Sequence, residues 1–124
     1  MTKELLIVDD QPGIRLLLTD ILMNAGYEIT TASDGKEAID LLGEKQFDLV
    51  MLDYKLPLVD GIGVLERIRE MEQSVPTIVM SGLVEKIEME LQDFPQVKKI
   101  LAKPFNIEDI PVIVEDAIGD VLME

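Results

Sequence analysis

The sequence predicts an α/β fold, with a five-stranded parallel sheet covered by five helices on both faces. Two observations predict it. Five short apolar runs alternate with five stretches of helical apolar spacing, and these repeats of about 25 residues fill the 124-residue chain. Gly, Asp and Pro stand at the junctions, where passage between strand and helix needs turns and caps. Alternation of this kind implies right-handed crossovers between parallel strands.

The elements follow in order. LLIV (5–8) is a buried strand, and Ile14, Leu17, Leu18, Ile21 and Leu22 then recur at i, i+3, i+4, i+7 and i+8, a first amphipathic helix. Gly26 stops that helix, and YEITTA (27–32) is a second, partly exposed strand. Asp34 with Glu37 starts a second helix, which places Ala38, Leu41 and Leu42 on its inner face. FDLVML (47–52) is the third strand, and Asp60-Gly61 opens a helix that buries Ile62, Leu65 and Ile68. PTIVM (76–80) is the fourth strand. Val84, Ile87 and Leu91 mark a short helix that Pro95 should end early. VKKIL (97–101) is the fifth strand, and Ile110, Ile113, Val114, Ala117, Ile118 and Val121 form the stripe of the last helix. Pro111 is awkward there, because an interior proline costs about 3 kcal/mol. That helix either begins at Pro111 after a turn or starts near Asn106 and kinks. Without a linker or low-complexity tract, residues 1–124 read as one domain.

Composition narrows the function. No cysteine is present, which excludes disulfides and thiolate metal sites. The absence of histidine removes imidazole acid/base catalysis, imidazole metal sites and a phosphohistidine carrier role. A formal charge of −14 argues against direct nucleic-acid binding and suits cationic partners, a metal ion among them. MTKELLIV lacks the apolar core of a signal peptide, and no apolar run reaches bilayer length. The chain reads as a soluble cytoplasmic domain with no membrane partner.

In a parallel sheet the functional crevice lies at the carboxyl ends of the strands. Asp9, Asp10, Asp53, Ser81 and Lys103 all fall there. Stability alone does not ask a buried strand to end in two aspartates. Three carboxylates in one crevice repel and raise one another's pKa. A divalent cation resolves the conflict, and an oxygen donor set with open water positions suits Mg²⁺. A carboxylate can also attack phosphorus, and the charge spread over the transferred oxygens then needs a cation and hydrogen-bond donors. Lys103 and Ser81 supply these, and Gly82 leaves room for the entering group. Taken singly, the aspartates read equally well as solvated loop charges, Lys103 as a surface lysine and Lys103-Pro104 as an ordinary turn. The joint placement on four strand ends carries the functional reading.

VDDQPGIR, LDYKLPLVDG, VMSG and LAKPF stand in the order and spacing of response-regulator receiver domains, and the chain resembles that family over its whole length. Within it, VDDQ-x-GIR and the closing AKPF are similar to the single-domain, sporulation-type phosphorelay regulators. The resemblance implies a flavodoxin-like strand order of 2-1-3-4-5. It implies that Asp53 accepts a phosphoryl group with the help of Mg²⁺, Mn²⁺ being the alternative ion. The metal would be held by Asp10 directly, by Asp9 through water, by Asp53, and by the Lys55 backbone carbonyl. Ser81 would hydrogen-bond a phosphoryl oxygen, Lys103 would pair with it, and Pro104 would be cis. The implied partners of this monomer are a sensor histidine kinase and a histidine phosphotransferase. Gln11, Gly13, Ile14, Leu17, Leu83 and Phe105 match positions that dock the partner's helices, with core packing as the other reading of Ile14 and Leu17. Lys55 and Leu83 would shield the phosphoryl group from water, which predicts slow loss.

Two departures from the family pattern bear on output. Ile100 occupies the place of an aromatic switch residue, and LQDFPQVKK lacks the usual Gly-Ala before the fifth strand. The missing aromatic switch and the VDDQ-x-GIR match favour a phosphorelay intermediate over a terminal receiver. A terminal receiver would act by protein binding or dimerisation through the fourth strand to fifth helix, including Met89 and Val112, or within a DNA-binding transcription regulator. An aspartate-nucleophile phosphatase would need an acid two residues after Asp53, where Lys55 stands. The expected role is a self-phosphorylating acceptor, with autodephosphorylation, rather than an enzyme acting on other substrates.

Overall fold

The computed structural model describes the backbone of residues 2–122 and the side chains of residues 2–119. In chain order the elements are β1 (Glu4–Val8), α1 (Pro12–Asn24), β2 (Glu28–Ala32), α2 (Gly35–Glu44), β3 (Leu49–Asp53), α3 (Gly61–Glu70), β4 (Thr77–Ser81), α4 (Val84–Leu91), β5 (Val97–Ala102), a 3₁₀ turn (Ile107–Asp109) and α5 (Ile110–Leu122). All four strand pairings are parallel, in the order β2-β1-β3-β4-β5.

Local chemistry sets the boundaries. Pro12 opens α1, where its missing N–H costs no helical bond. Gly26, at φ +100, closes it: the Tyr27 N–H donates to the Leu22 carbonyl and the Gly26 N–H to Met23, satisfying the last turn. Asp34 accepts from the Glu37 N–H at 2.7 Å while the Glu37 carboxylate accepts from the Ser33 N–H at 2.8 Å. Asp60 caps α3 through the Gly63 N–H at 2.9 Å. The fifth helix resolves its proline as the first alternative required. A 3₁₀ turn capped by Asn106 precedes it, and Pro111 sits in the first helical turn, where no N–H is needed. Val121, the last member of the predicted stripe, lies outside the residues whose side chains are described.

The sheet divides the core in two. Leu5, Ile7, Leu49, Met51, Ile78 and Met80 face Leu18 and Leu22 of α1 and Ile110 and Val114 of α5. Leu6, Val8, Val50, Leu52 and Val79 face α2, α3 and α4. The inner face of α3 differs from the prediction. Val64, Leu65 and Ile68 are buried together with Gly61, while Ile62 is only half-buried. A Cβ on Gly61 would stand 2.9 Å from the Tyr54 Cα, so a glycine holds the first inward place, and Ile62 packs against the core from beside it. Likewise Gly35, Ala38 and Leu42 are the buried residues of α2, and Leu41 is half-buried.

The β3–α3 loop has an unusual backbone. Leu58 has φ +69, and the Val59 N–H donates to the Pro57 carbonyl at 2.8 Å, closing a tight three-residue turn around an exposed leucine. Val59 is wedged between two helix starts. A Cβ on Gly35 would lie 1.8 Å from the Val59 carbonyl oxygen, and one on Gly63 would lie 2.5 Å from Val59 Cγ1. Among the described residues, no helix is long and apolar enough to cross a membrane.

Candidate functional site

Register assembles the site. Val8 pairs with Leu52, so Asp9 and Asp53, each one residue further on, emerge side by side. Asp53 is in register with Met80 and Ser81 with Ala102, which brings Ser81 and Lys103 to the same edge. The Lys103 N–H donates to the Ser81 carbonyl at 2.9 Å, and the Lys103–Pro104 peptide is cis. Asp9, Asp53 and Ser81 are buried, and Asp10 is exposed. Carboxylate oxygens of Asp9, Asp10 and Asp53 lie within 4.8 Å of one another, the group of acidic residues among those described that could hold a metal ion.

Lys103, which the sequence places at the same strand edge, stands among the three carboxylates. Its Nζ lies 2.6 Å from Asp9 Oδ2 and 3.3 Å from Asp53 Oδ2, so a cation already sits among them. Burial nevertheless pushes the Asp53 carboxyl above the ordinary carboxylate range. Asp9 adds to that rise and Asp10 to a lesser extent, while Lys103 opposes it by charge and hydrogen bond. For Lys103 burial acts downward, but the hydrogen bond to Asp9 and the charges of Asp53 and Asp9 together raise it above its ordinary value.

Asp9 is fully engaged. Its N–H donates to the Ala32 carbonyl at 3.1 Å, its Oδ1 accepts from the Gln11 N–H at 2.9 Å, its Oδ2 accepts from Lys103, and its carbonyl accepts from Arg15 Nη1 at 2.7 Å. An acid held this way suits contact with a metal through water, whereas the exposed Asp10 suits direct ligation. The donor set is oxygen only, with an open side, which fits Mg²⁺. Ser81 Oγ accepts from the Leu83 N–H at 2.9 Å. Only the Lys103 carbonyl oxygen, at 3.9 Å, lies near where a Cβ on Gly82 would stand, so the space beside Ser81 is open.

The remaining predicted residues differ in exposure. Gln11 and Gly13 are exposed at the start of α1, Leu83 is exposed just before α4, and Lys55 is exposed in the β3–α3 loop. Ile14 and Phe105 are half-buried against the α1/α5 core, and Leu17 is half-buried. Ile100 is half-buried on β5 against the other core layer. Two residues escaped the sequence reading. Arg15 reaches back to the end of β1, and the Tyr54 hydroxyl, one residue past Asp53, donates to the Glu90 carboxylate on α4. For the first the sequence offers only that Arg15 lies within one long side chain's reach of the end of β1. Nothing in the sequence signals the second.

The fold and this cluster define a phosphoacceptor module of two-component signalling. The chain belongs to the response regulator receiver domain family, whose model matches residues 5–115. It is 37% identical over 112 residues to sporulation initiation phosphotransferase F of Bacillus subtilis (strain 168), covering 89% of each chain. It is 33% identical over 110 residues to the alkaline phosphatase synthesis transcriptional regulatory protein PhoP of the same organism, covering 89% of this chain and 46% of that one. Among solved structures, response regulator protein TrrA from Thermotoga maritima in complex with Mg(2+)-BeF is similar at a TM-score of 0.82 and 31% identity, over 94% of this chain and 99% of that one. Receiver domains bind Mg²⁺ at an acidic pocket of this kind.

Proposed function

We propose that the chain is the aspartate intermediate of a phosphorelay of the sporulation type, taking a phosphoryl group from a histidine kinase onto Asp53 and passing it to a histidine phosphotransferase. The observation that carries the chemistry is the convergence of buried Asp53 with Asp9, Asp10, Ser81 and Lys103 at one strand edge. Asp53 Oδ attacks the phosphorus of the donor's phosphohistidine. The O–P bond forms as the N–P bond breaks, and the imidazole nitrogen keeps the electron pair and takes a proton from solvent. Onward transfer is the reverse step on a second imidazole. Asp10 and Asp53, with the Lys55 carbonyl and Asp9 through water, would hold Mg²⁺ (or Mn²⁺), which when bound neutralises charge on the transferred oxygens. Lys103 supplies the ammonium and Ser81 the hydroxyl for the same oxygens. The chain acts as an acceptor, not as an enzyme on other substrates.

The relay reading is supported by the two-way coverage of the sporulation phosphotransferase and by Ile100 where an aromatic switch would stand. Gln11, Gly13, Ile14, Leu17, Leu83 and Phe105 ring the mouth as the docking surface. Exposed Met89 on α4 and Val112 on α5 favour the second reading, a terminal receiver acting through that face. The deciding experiment follows phosphoryl loss from the Mg²⁺-loaded, phosphorylated protein, alone and with a histidine phosphotransferase, with Asp53→Asn as control. Persistence alone and rapid transfer on mixing are expected. Refusal to transfer, with dimerisation on phosphorylation, would establish the terminal reading instead.

A further inference from the structure

Arg15 supplies none of the groups that phosphoryl transfer uses, yet its half-buried guanidinium reaches six residues back along the chain to the Asp9 carbonyl at 2.7 Å. That carbonyl belongs to the first residue after β1, where strand pairing has ended. It is also one half of the peptide that carries Asp10. A peptide group is planar, so fixing the carbonyl oxygen and the Asp9 Cα fixes the Asp10 N and Cα as well. The Asp9 Cα is itself fixed by three further bonds, from its N–H to Ala32 and from Gln11 and Lys103 to its carboxylate.

From this geometry we infer that Arg15 is a positioning residue for the divalent-cation site: it clamps the Asp9–Asp10 peptide so that the exposed Asp10 carboxylate is presented toward Asp53. The inference rests on the reading of the acidic cluster as a Mg²⁺ site. The sign of the effect separates positioning from simple electrostatics. A guanidinium near a cation site repels the cation, so losing its charge alone would tighten Mg²⁺ binding. Losing the clamp frees the peptide to rotate and weakens it, and outer partners of metal ligands commonly matter by about tenfold or more.

The test uses Arg15→Met, which keeps the aliphatic stem and removes donor and charge, and Arg15→Lys, which keeps the charge and one ammonium. Mg²⁺ affinity is measured by calorimetry on the full chain, with amide hydrogen exchange at Asp10 and Gln11 in the metal-free protein. Arg15→Met is expected to weaken Mg²⁺ binding about tenfold and to speed exchange at both amides, with Arg15→Lys between it and the parent. Unchanged or tighter binding by Arg15→Met, or unchanged exchange, overturns the inference. If Arg15→Met does not fold, Arg15→Lys decides in the same way. A parent chain that binds no Mg²⁺ would refute the metal reading, and the exchange rates would still decide whether Arg15 holds the turn.

Discussion

Lys45 and Lys103 stand at opposite ends of the sheet and make ion pairs of nearly equal length, 2.5 Å to Glu4 and 2.6 Å to Asp9. Their surroundings differ. The Lys45 and Glu4 side chains are 42% and 35% exposed, whereas those of Lys103 and Asp9 are 19% and 0%. At the amino end of the strands, polar groups satisfy one another locally: the Glu4 N–H donates to Asp48 Oδ2, the Asp48 N–H donates to the Glu4 carbonyl, and Lys45 lies over the Phe47 ring. At the carboxyl end, buried charges converge on an open mouth. Length therefore says little about consequence. Exposed pairs are screened by water and are worth under about 1 kcal/mol, while breaking a buried pair strands a charge.

Lys103→Met should break the contrast most sharply. It leaves the Asp9 carboxylate buried without its cation, and a loss of about 3 kcal/mol in urea unfolding is expected. Lys45→Met should stay within about 0.5 kcal/mol. Equal losses would show that the two ends do not differ as described. Asp53→Asn probes the same end with the opposite sign. Because burial raises the folded Asp53 pKa, folding favours its protonated form. The stability from that preference is complete below the unfolded-state value and is lost as pH rises through the raised folded value. The metal-free Asp53→Asn protein should thus melt above the parent at neutral pH, with the gap closing in acid. A lower melting temperature at neutral pH would count against it.

Smaller effects sharpen the picture around the mouth. The Tyr54 phenol is pushed up to about 12, first by its hydrogen bond to Glu90, then by burial and the charges of Glu90 and Asp60. The neutral phenol is favoured in the fold, so its contribution is full below the ordinary tyrosine value and fades as pH rises through about 12. Tyr54→Phe should cost about 0.5–1 kcal/mol. In alkaline absorbance titration, Glu90→Gln should return Tyr54 toward its ordinary value; an unmoved titration would remove Glu90 as the cause. Asp10→Asn should change metal-free stability least, upward and within about 0.5 kcal/mol, since Asp10 is exposed and adds least to the Asp53 shift. It should abolish Mg²⁺-dependent phosphorylation all the same. A melting curve showing destabilisation would refute relief of repulsion.

Much of this was legible in the sequence because it depends on period and position. Apolar runs fix strands, and strands fix which residues stand at their carboxyl ends, so Asp9, Asp10, Asp53, Ser81 and Lys103 follow from pattern. The incomplete burial of Ile62 and Leu41, which both pack against the core, has one cause. Gly61 and Gly35 take inward places without apolar side chains, because neighbouring backbone fills the space where a Cβ would be. Hydrophobic periodicity cannot register a buried residue that has no side chain. Arg15 and the Tyr54–Glu90 bond were missed for a different reason, since long side chains choose partners by reach and direction rather than spacing.

The wedge at Val59 has a mechanical consequence. With Val59 pressed against the starts of both α2 and α3, and the Gly35 N–H donating to the Pro57 carbonyl at 3.3 Å, the loop after the acceptor strand is riveted to two helices at once. Those three pieces are ganged, and a shove on one is resisted by all. The opposite flank is held by other means: α4 follows the Ser81–Leu83 hydrogen bond, buries Ile87 and Leu91 in the core beside the acceptor strand, and accepts the Tyr54 hydroxyl at Glu90. Asp53 thus stands between a flank locked backbone to backbone and one joined through side chains.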